Sequence, residues 1–247
     1  MQLKGAVALV TGANGGIGKY YIEALRTAGV ALIYACARKA ESVADIVAID
    51  PDRIIAVPLD ITDEQSVNAA AAKCQDITLL INNAGVALNY GGQVTAPDLA
   101  SARNEMEVNY FGTLLMCRAF APILKQNGGG ALVNVLSILA RVTAPVIGSY
   151  CASKAAALAL TQGVRAELAA QGTLVIAVMP GTVDTEMSKD YPPPKVSPTE
   201  VAEATLQAVI DEVEEVYPGE QATQLAAQLL QDPKAAEKSI AILLPTA

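Results

Sequence analysis

The stretch Val7-Ala8-Leu9-Val10-Thr11-Gly12-Ala13-Asn14-Gly15-Gly16-Ile17-Gly18 passes from an unbroken apolar run into a cluster of glycines. A helical pattern follows it, from Ile17 to Ala28. Ala6 to Val10 read as a strand, because the run is short, aliphatic and closed by turn residues. Glycines at a strand-to-helix turn let the backbone take positive φ and come close to a ligand. The helix behind them offers free N–H groups and a positive dipole end to a phosphate.

Outward from this turn the same alternation repeats. Apolar runs at Ala31 to Cys36, Ile54 to Pro58, Thr78 to Ile81, Ala131 to Leu136 and Leu174 to Val178 are spaced by longer amphipathic or Ala-rich stretches. The helices are predicted over Glu41 to Ile49, Asp63 to Lys73, Pro97 to Gln126, Tyr150 to Ala170 and Thr199 to Val213. Strands that are apolar throughout and separated by helices belong to a parallel sheet buried on both faces. The predicted fold class is therefore α/β: a single-domain, doubly wound parallel sheet with helices on both faces, spanning 1–247. Met187 to Pro198, with prolines at 192, 193 and 194, has no regular pattern and reads as a short loop.

Composition narrows the function. Hydrophobic residues are 52% of the chain and aromatics only 4%, so the core must be built from Ala, Val, Leu and Ile. A net charge of −8 argues against nucleic acid and against an anionic membrane surface, which leaves a small molecule as the expected partner. Nine carboxylates and two lysines follow Thr199 and read as a solvated acidic surface. Cys36, Cys74, Cys117 and Cys151 lack metal-site spacing and the chain has no histidine, so no metal is expected. With no leader pattern and no apolar run of about 18 residues, a reduced, cytoplasmic protein is the expectation.

Without histidine, proton transfer near neutral pH must fall to another group. Tyr150 and Lys154, in Tyr150-Cys151-Ala152-Ser153-Lys154, stand four residues apart on a predicted helix and so project from one face. Cys151 between them reads as a small buried packing residue. At the end of the second strand no carboxylate lies between Glu23 and Glu41, where an NAD site would place one for the ribose hydroxyls. Arg38 and Lys39 stand there instead. A planar guanidinium and a point charge suit a 2′-phosphate, which favours NADP over NAD.

Taken in order, these pieces resemble the short-chain dehydrogenase/reductase family, a Rossmann-fold family, from Thr11 to Thr185. Gly12, Asn14, Gly16, Ile17 and Gly18 are similar to its cofactor fingerprint. Asp60 and Ile61, in Leu59-Asp60-Ile61-Thr62, resemble its adenine-contacting segment, and Asn83, Ala84 and Gly85 its motif after the fourth strand. Asn109, Ser137, Tyr150 and Lys154 resemble its catalytic tetrad. Pro180, Gly181, Val183 and Thr185 resemble the segment that clamps nicotinamide. The resemblance implies that Tyr150 acts as acid-base with its pKa lowered by Lys154 and by the oxidised cofactor's charge. It implies further that Lys154 and Tyr150 contact the cofactor, that Ser137 orients the carbonyl oxygen and that Asn109 anchors a relay water.

After Thr185 the resemblance fades. The loop over the site is short, and Val216-Tyr217-Pro218-Gly219 with helical patterns replaces the glycine-rich final strand, which puts the usual tetramer contact in doubt. A homodimer through the helices bearing Asn109 and Tyr150 fits the run Ala155, Ala156, Ala157; homodimer and homotetramer both stay open. Leu139, Val142, Val146, Ile147, Met187 and Tyr191 are expected to line a mostly apolar substrate pocket. The expected function is an NADP-dependent reductase of small, moderately hydrophobic ketones or aldehydes. A 3-oxoacyl-[acyl-carrier-protein] reductase is the nearest alternative, weakened by the single cation in Lys125-Gln126-Asn127-Gly128-Gly129-Gly130. A non-catalytic NADP-binding sensor is the second.

Overall fold

The strand β1 (Val7–Thr11) lies between β2 (Leu32–Ala37) and β4 (Leu79–Asn82), and the sheet grows outward from that centre. This computed structural model describes residues 1–244. Beyond β2 comes β3 (Ile54–Pro58), and beyond β4 come β5 (Ala131–Val135), β6 (Leu174–Val178) and β7 (Glu215–Val216). The order β3-β2-β1-β4-β5-β6-β7 is parallel at every pairing. Strand order reverses between β1 and β4, the place where open α/β sheets bind ligands.

Successive strand side chains point to opposite faces, and both faces are covered. Ala8, Val10, Ile33, Ile81 and Ile176 pack beneath α1 (Gly18–Thr27) and α7 (Pro198–Asp211). Leu9, Leu80, Leu132 and Val175 pack beneath α3 (Glu64–Lys73), α5 (Thr113–Gln126) and α6 (Gly148–Leu168), with Met116 and Phe120 fully buried between them. That double burial is why every central strand reads as a continuous apolar run rather than an alternating one.

Local chemistry sets several helix ends. Asp63 accepts from the Gln65 N–H at 3.0 Å and caps α3. Ser197 does the same for the Glu200 N–H of α7, where Pro198 takes the first position that needs no donor. The predicted 41–49 helix is instead a 3-10 turn, Ala40–Val43, followed by one α turn, α2 (Ala44–Val47).

The long predicted helix begins three residues later than Pro97, as α4 (Ala100–Met106), and widens into a π-helical segment, Glu107–Gly112, before α5. β7 was not expected. Two residues with Glu at one of them carry no strand pattern, yet they pair in register with Ala177 and Val178. The tail then forms α8 (Glu220–Gln231) and α9 (Pro233–Ile240), which pack on each other through Ala222, Leu225, Ala226 and Ala236.

Removing the ring of Phe120 opens a cavity in the second core that its fully packed neighbours cannot fill. Phe120→Ala is expected to lower the unfolding free energy by about 3–5 kcal/mol in urea titrations, with the m-value unchanged.

Candidate active site

A cleft of about 1280 Å³ runs along the C-terminal ends of the strands, from the Gly12 turn to the end of the described chain. It is larger than the roughly 300–1,000 Å³ that a single small ligand occupies, so it has room for a dinucleotide and a second molecule.

At one end the chain leaves β1 through Gly12, at φ +64°, where a Cβ would stand 3.0 Å from the Ala84 Cα. Only glycine permits that approach and that φ together. Asn14, Gly16 and Ile17 border the cleft, and α1 begins with no side-chain cap and no acid in its first turn. Gly18 differs from its expected role. It is buried, and a Cβ on it would lie 2.1 Å from the Gly12 carbonyl oxygen, so it lets helix and turn pack rather than meeting a ligand.

Arg38, Lys39, Asp60 and Ile61 form the next stretch of wall. Asp60 Oδ1 accepts from the Thr62 N–H at 3.0 Å and from the Thr62 hydroxyl at 2.7 Å. Those bonds hold its carboxylate below the ordinary range, with a smaller contribution from the charge of Arg38.

The Asn83–Gly85 strip is fastened to β1. Thr11 Oγ1 accepts from the N–H groups of Asn83 and Ala84, at 2.9 and 3.0 Å, and Asn83 Nδ2 donates to the carbonyls of Thr11 and Gly12. Behind Gly85 stand Asn109 and Lys154. A Cβ at Gly85 would be 3.1 Å from Asn109 Oδ1 and 3.2 Å from Lys154 Nζ, so any larger residue there would crowd both groups.

Ser137, at the end of β5, and Tyr150, in the first turn of α6, face the cleft together. Lys154 lies one turn deeper. Its Nζ donates to the Val135 carbonyl at 3.0 Å and sits 5.8 Å from the Tyr150 ring centre. Burial pushes the Lys154 ammonium from 10.5 down to about 8. Burial also pushes the Tyr150 phenol well above its ordinary range, with the Ser137 hydroxyl pulling the other way. Without cofactor the phenol is thus held above a free tyrosine, because removing the phenolate from water disfavours the charged form, whereas the expected lowering includes the charge of a bound oxidised cofactor.

Asn109 sits in the π-helical segment, with its amide fully engaged. Oδ1 accepts from the Val86 N–H at 2.9 Å, and Nδ2 donates to the Val86 carbonyl at 2.8 Å and to Ser153 Oγ at 2.9 Å. Ser153 in turn donates to the Tyr150 carbonyl. The side chain expected to hold a relay water gives one amide hydrogen to the Val86 carbonyl and the other to the Ser153 hydroxyl.

Glu105 was missed. It is fully buried and accepts from the N–H groups of Leu88 and Asn89, at 2.7 and 3.1 Å. Its place four residues before Asn109 was the available signal.

Pro180, Gly181, Val183 and Thr185 border the cleft, as do Leu139, Val146, Ile147, Met187 and Tyr191. Val142 does not. It is buried with Ile138 against Ala222, Leu225 and Ala226 of α8, because the tail covers the surface that the sequence left open. Cys151 is buried against Ala144 and Ile147.

A parallel sheet with a glycine turn at its switch point, and a Ser-Tyr-Lys group at the neighbouring strand ends, is the frame of a nucleotide-dependent oxidoreductase. The model of the short chain dehydrogenase family matches residues 6–195, and the chain belongs to that family, whose members are oxidoreductases that use nicotinamide cofactors.

It is 49% identical to a short chain dehydrogenase from Burkholderia cenocepacia J2315 solved in complex with NADP, with a TM-score of 0.91 over 97% of this chain and 99% of that one. It is 36% identical over 200 residues to the short chain dehydrogenase mpl6 of Monascus purpureus, covering 76% of this chain and 68% of that one. A 7 alpha-hydroxysteroid dehydrogenase complexed with NADH and 7-oxo glycochenodeoxycholic acid is 26% identical, with a TM-score of 0.79 over 87% and 93% of the two chains.

The lysine's position has a consequence for stability. From about pH 8 to 10.5 the unfolded chain's lysine holds a proton that the folded one has released, so this residue's contribution to stability rises with pH. Buried thiols and phenols pull the other way, but they are common to wild type and Lys154→Met. The difference in unfolding free energy, wild type minus variant, is expected to increase between pH 8 and 10 in cofactor-free protein. A flat difference would mean that the lysine is not desolvated.

Proposed function

We propose that this protein is an NADP-dependent carbonyl reductase, reversible as an alcohol dehydrogenase, acting on small, moderately hydrophobic ketones or aldehydes. The observation that carries the reading is the shared wall of Ser137 and Tyr150, with Leu139, Val146, Ile147 and Met187 beside them and Arg38 and Lys39 at the far end of the same cleft.

The residues present fit the dinucleotide. The Gly12 to Ile17 turn would take its pyrophosphate, Arg38 and Lys39 the 2′-phosphate, and Asp60 and Ile61 the adenine. Gly85, Pro180, Gly181, Val183 and Thr185 would hold the nicotinamide end, and the glycine at 85 would let Lys154 reach the ribose. When bound, the reduced cofactor supplies the hydride. Every other task falls to this chain.

Ser137 donates a hydrogen bond to the carbonyl oxygen and fixes its place within reach of Tyr150. Tyr150 is protonated at neutral pH, as any phenol is, and can give up its phenolic proton as charge develops on that oxygen. Lys154, with a pKa near 8, holds a proton that it can pass toward the phenol's side of the site. Asn109 holds Val86 and, through Ser153, the first turn of α6, so that Tyr150 keeps its aim.

The same reading includes self-association. Tyr110, Leu114 and Arg118 of the long helix and Ala156, Ala159 and Gly163 of α6 form an outward groove lined by small residues, which suits packing against a second copy. Of the predicted alanine run, Ala157 is buried inward and only Ala156 reaches the groove. Light scattering at micromolar concentration is expected to give the dimer mass, and a monomer would remove this part of the proposal. All four cysteines are free and buried, in keeping with a reducing, cytoplasmic setting.

NADPH oxidation across a panel of ketones tests the whole. Tyr150→Phe is expected to lower kcat by about 10²–10⁴-fold. Arg38→Ala should raise the NADPH Kd about tenfold or more, the worth of a lost charge-assisted contact, and leave NADH unaffected. Undiminished turnover in the first variant, or a wild-type preference for NADH, would overturn the respective assignment.

A further inference from the structure

The tail reaches the cleft at Ile240 and Leu243. Ile240, the last residue of α9, packs in the same apolar cluster as Leu139, Val146, Ile147 and the Tyr150 ring. Leu243 follows it into the lining, and its carbonyl accepts from the Val146 N–H at 2.9 Å, a bond that joins the tail to the wall before α6.

The tail is positioned for this from its other side as well. Gln221 Oε1 accepts from the Thr182 N–H at 3.0 Å, and Val142 and Ile138 clamp Ala222, Leu225 and Ala226. Asp232 caps α9 by accepting from the Ala235 N–H at 3.0 Å, and Ala236 is fully buried beneath it. These contacts anchor α8 and α9, and the Val146 bond carries that anchoring on to Leu243, whose side chain is 48% exposed.

We infer that Ile240 and Leu243 close the substrate end of the cleft and set the length of the apolar chain that the enzyme accepts. This rests on the carbonyl-reductase reading. With the carbonyl oxygen held between Ser137 and Tyr150, one substituent must run along Leu139, Val146 and Ile147, an apolar path that ends at Ile240 and Leu243. The substrate class is an unbranched or lightly branched alkyl ketone whose chain length, rather than any charged group, decides acceptance.

The test is binding of methyl n-alkyl ketones of increasing length to the protein saturated with oxidised NADP, where no turnover occurs, read by saturation-transfer NMR. Wild-type affinity is expected to rise with each methylene and then stop rising. In Ile240→Ala/Leu243→Ala the plateau should move to longer chains, with the longest ketones gaining about tenfold, within the range that one or two methylenes command in an apolar pocket. The shortest ketone should bind unchanged.

Leu243→Trp should move the plateau to shorter chains and serves if the double variant does not fold. Leu230→Ala, at a position of α8 that is 80% exposed, should leave the profile alone. A length profile that stays parallel to wild type in both tail variants would overturn the inference. NADPH oxidation with the same ketones is scored separately. A shifted plateau without turnover would keep the wall and sink the reductase reading, whereas turnover with an unshifted plateau would do the reverse.

Discussion

After Thr11 and Asn82 the two central strands part company, one turning into the glycine loop and the other into the strip that floors the site. Thr11 holds them together. Its hydroxyl oxygen accepts from two successive backbone N–H groups, while Asn83 returns two hydrogen bonds to the carbonyls of Thr11 and Gly12. The bonds are almost shut off from water, since Thr11 is 1% exposed, and an unpaired partner there would bear the full cost of desolvation. They fix the height of Gly12 over Ala84, and therefore the width of the place where a dinucleotide can lie. Everything beyond Gly85, including the access to Lys154, takes its position from this clasp.

A second polar layer runs under the reactive groups. Asn82 donates to Asn134, Asn134 to Thr161, and Thr161 to the Ala157 carbonyl, so β4, β5 and α6 are tied across an otherwise aliphatic core. Lys154 and Asn109 extend the same pattern, each bonded to backbone beside the cleft. Such bonds hold side chains in single geometries where apolar packing alone tolerates several. The site is thus stiff beneath and apolar above, which suits a reaction that moves a hydride and a proton between fixed positions.

Much of this was legible in the chain because the signals were local. Val7 to Gly18 carries strand, turn and helix start within twelve residues, and Tyr150 with Lys154 needs only helical spacing. What escaped was set by distant partners. β7 is two residues held by β6, too short for a period. Val142 looks like a pocket residue until α8 lies over it, and Ile240 and Leu243 gain meaning only when the tail folds back onto Val146. The upward push on the Tyr150 phenol escaped for another reason: burial is a property of the assembled fold.

The widened segment Glu107–Gly112 has its own effect on the fold's tolerance of change. A π turn holds an extra residue relative to the α form and, by widening, absorbs it with little change in the rotational phase between α4 and α5. Excising a residue from the regular turns of α5, which have no such slack, would swing everything on one side of the cut by about 100° around its axis. On the N-terminal side Glu105 would leave the Leu88 and Asn89 amides, and Asn109 would leave Val86. Length in the regular turns is therefore fixed more tightly than in the widened segment, where one extra residue is already absorbed.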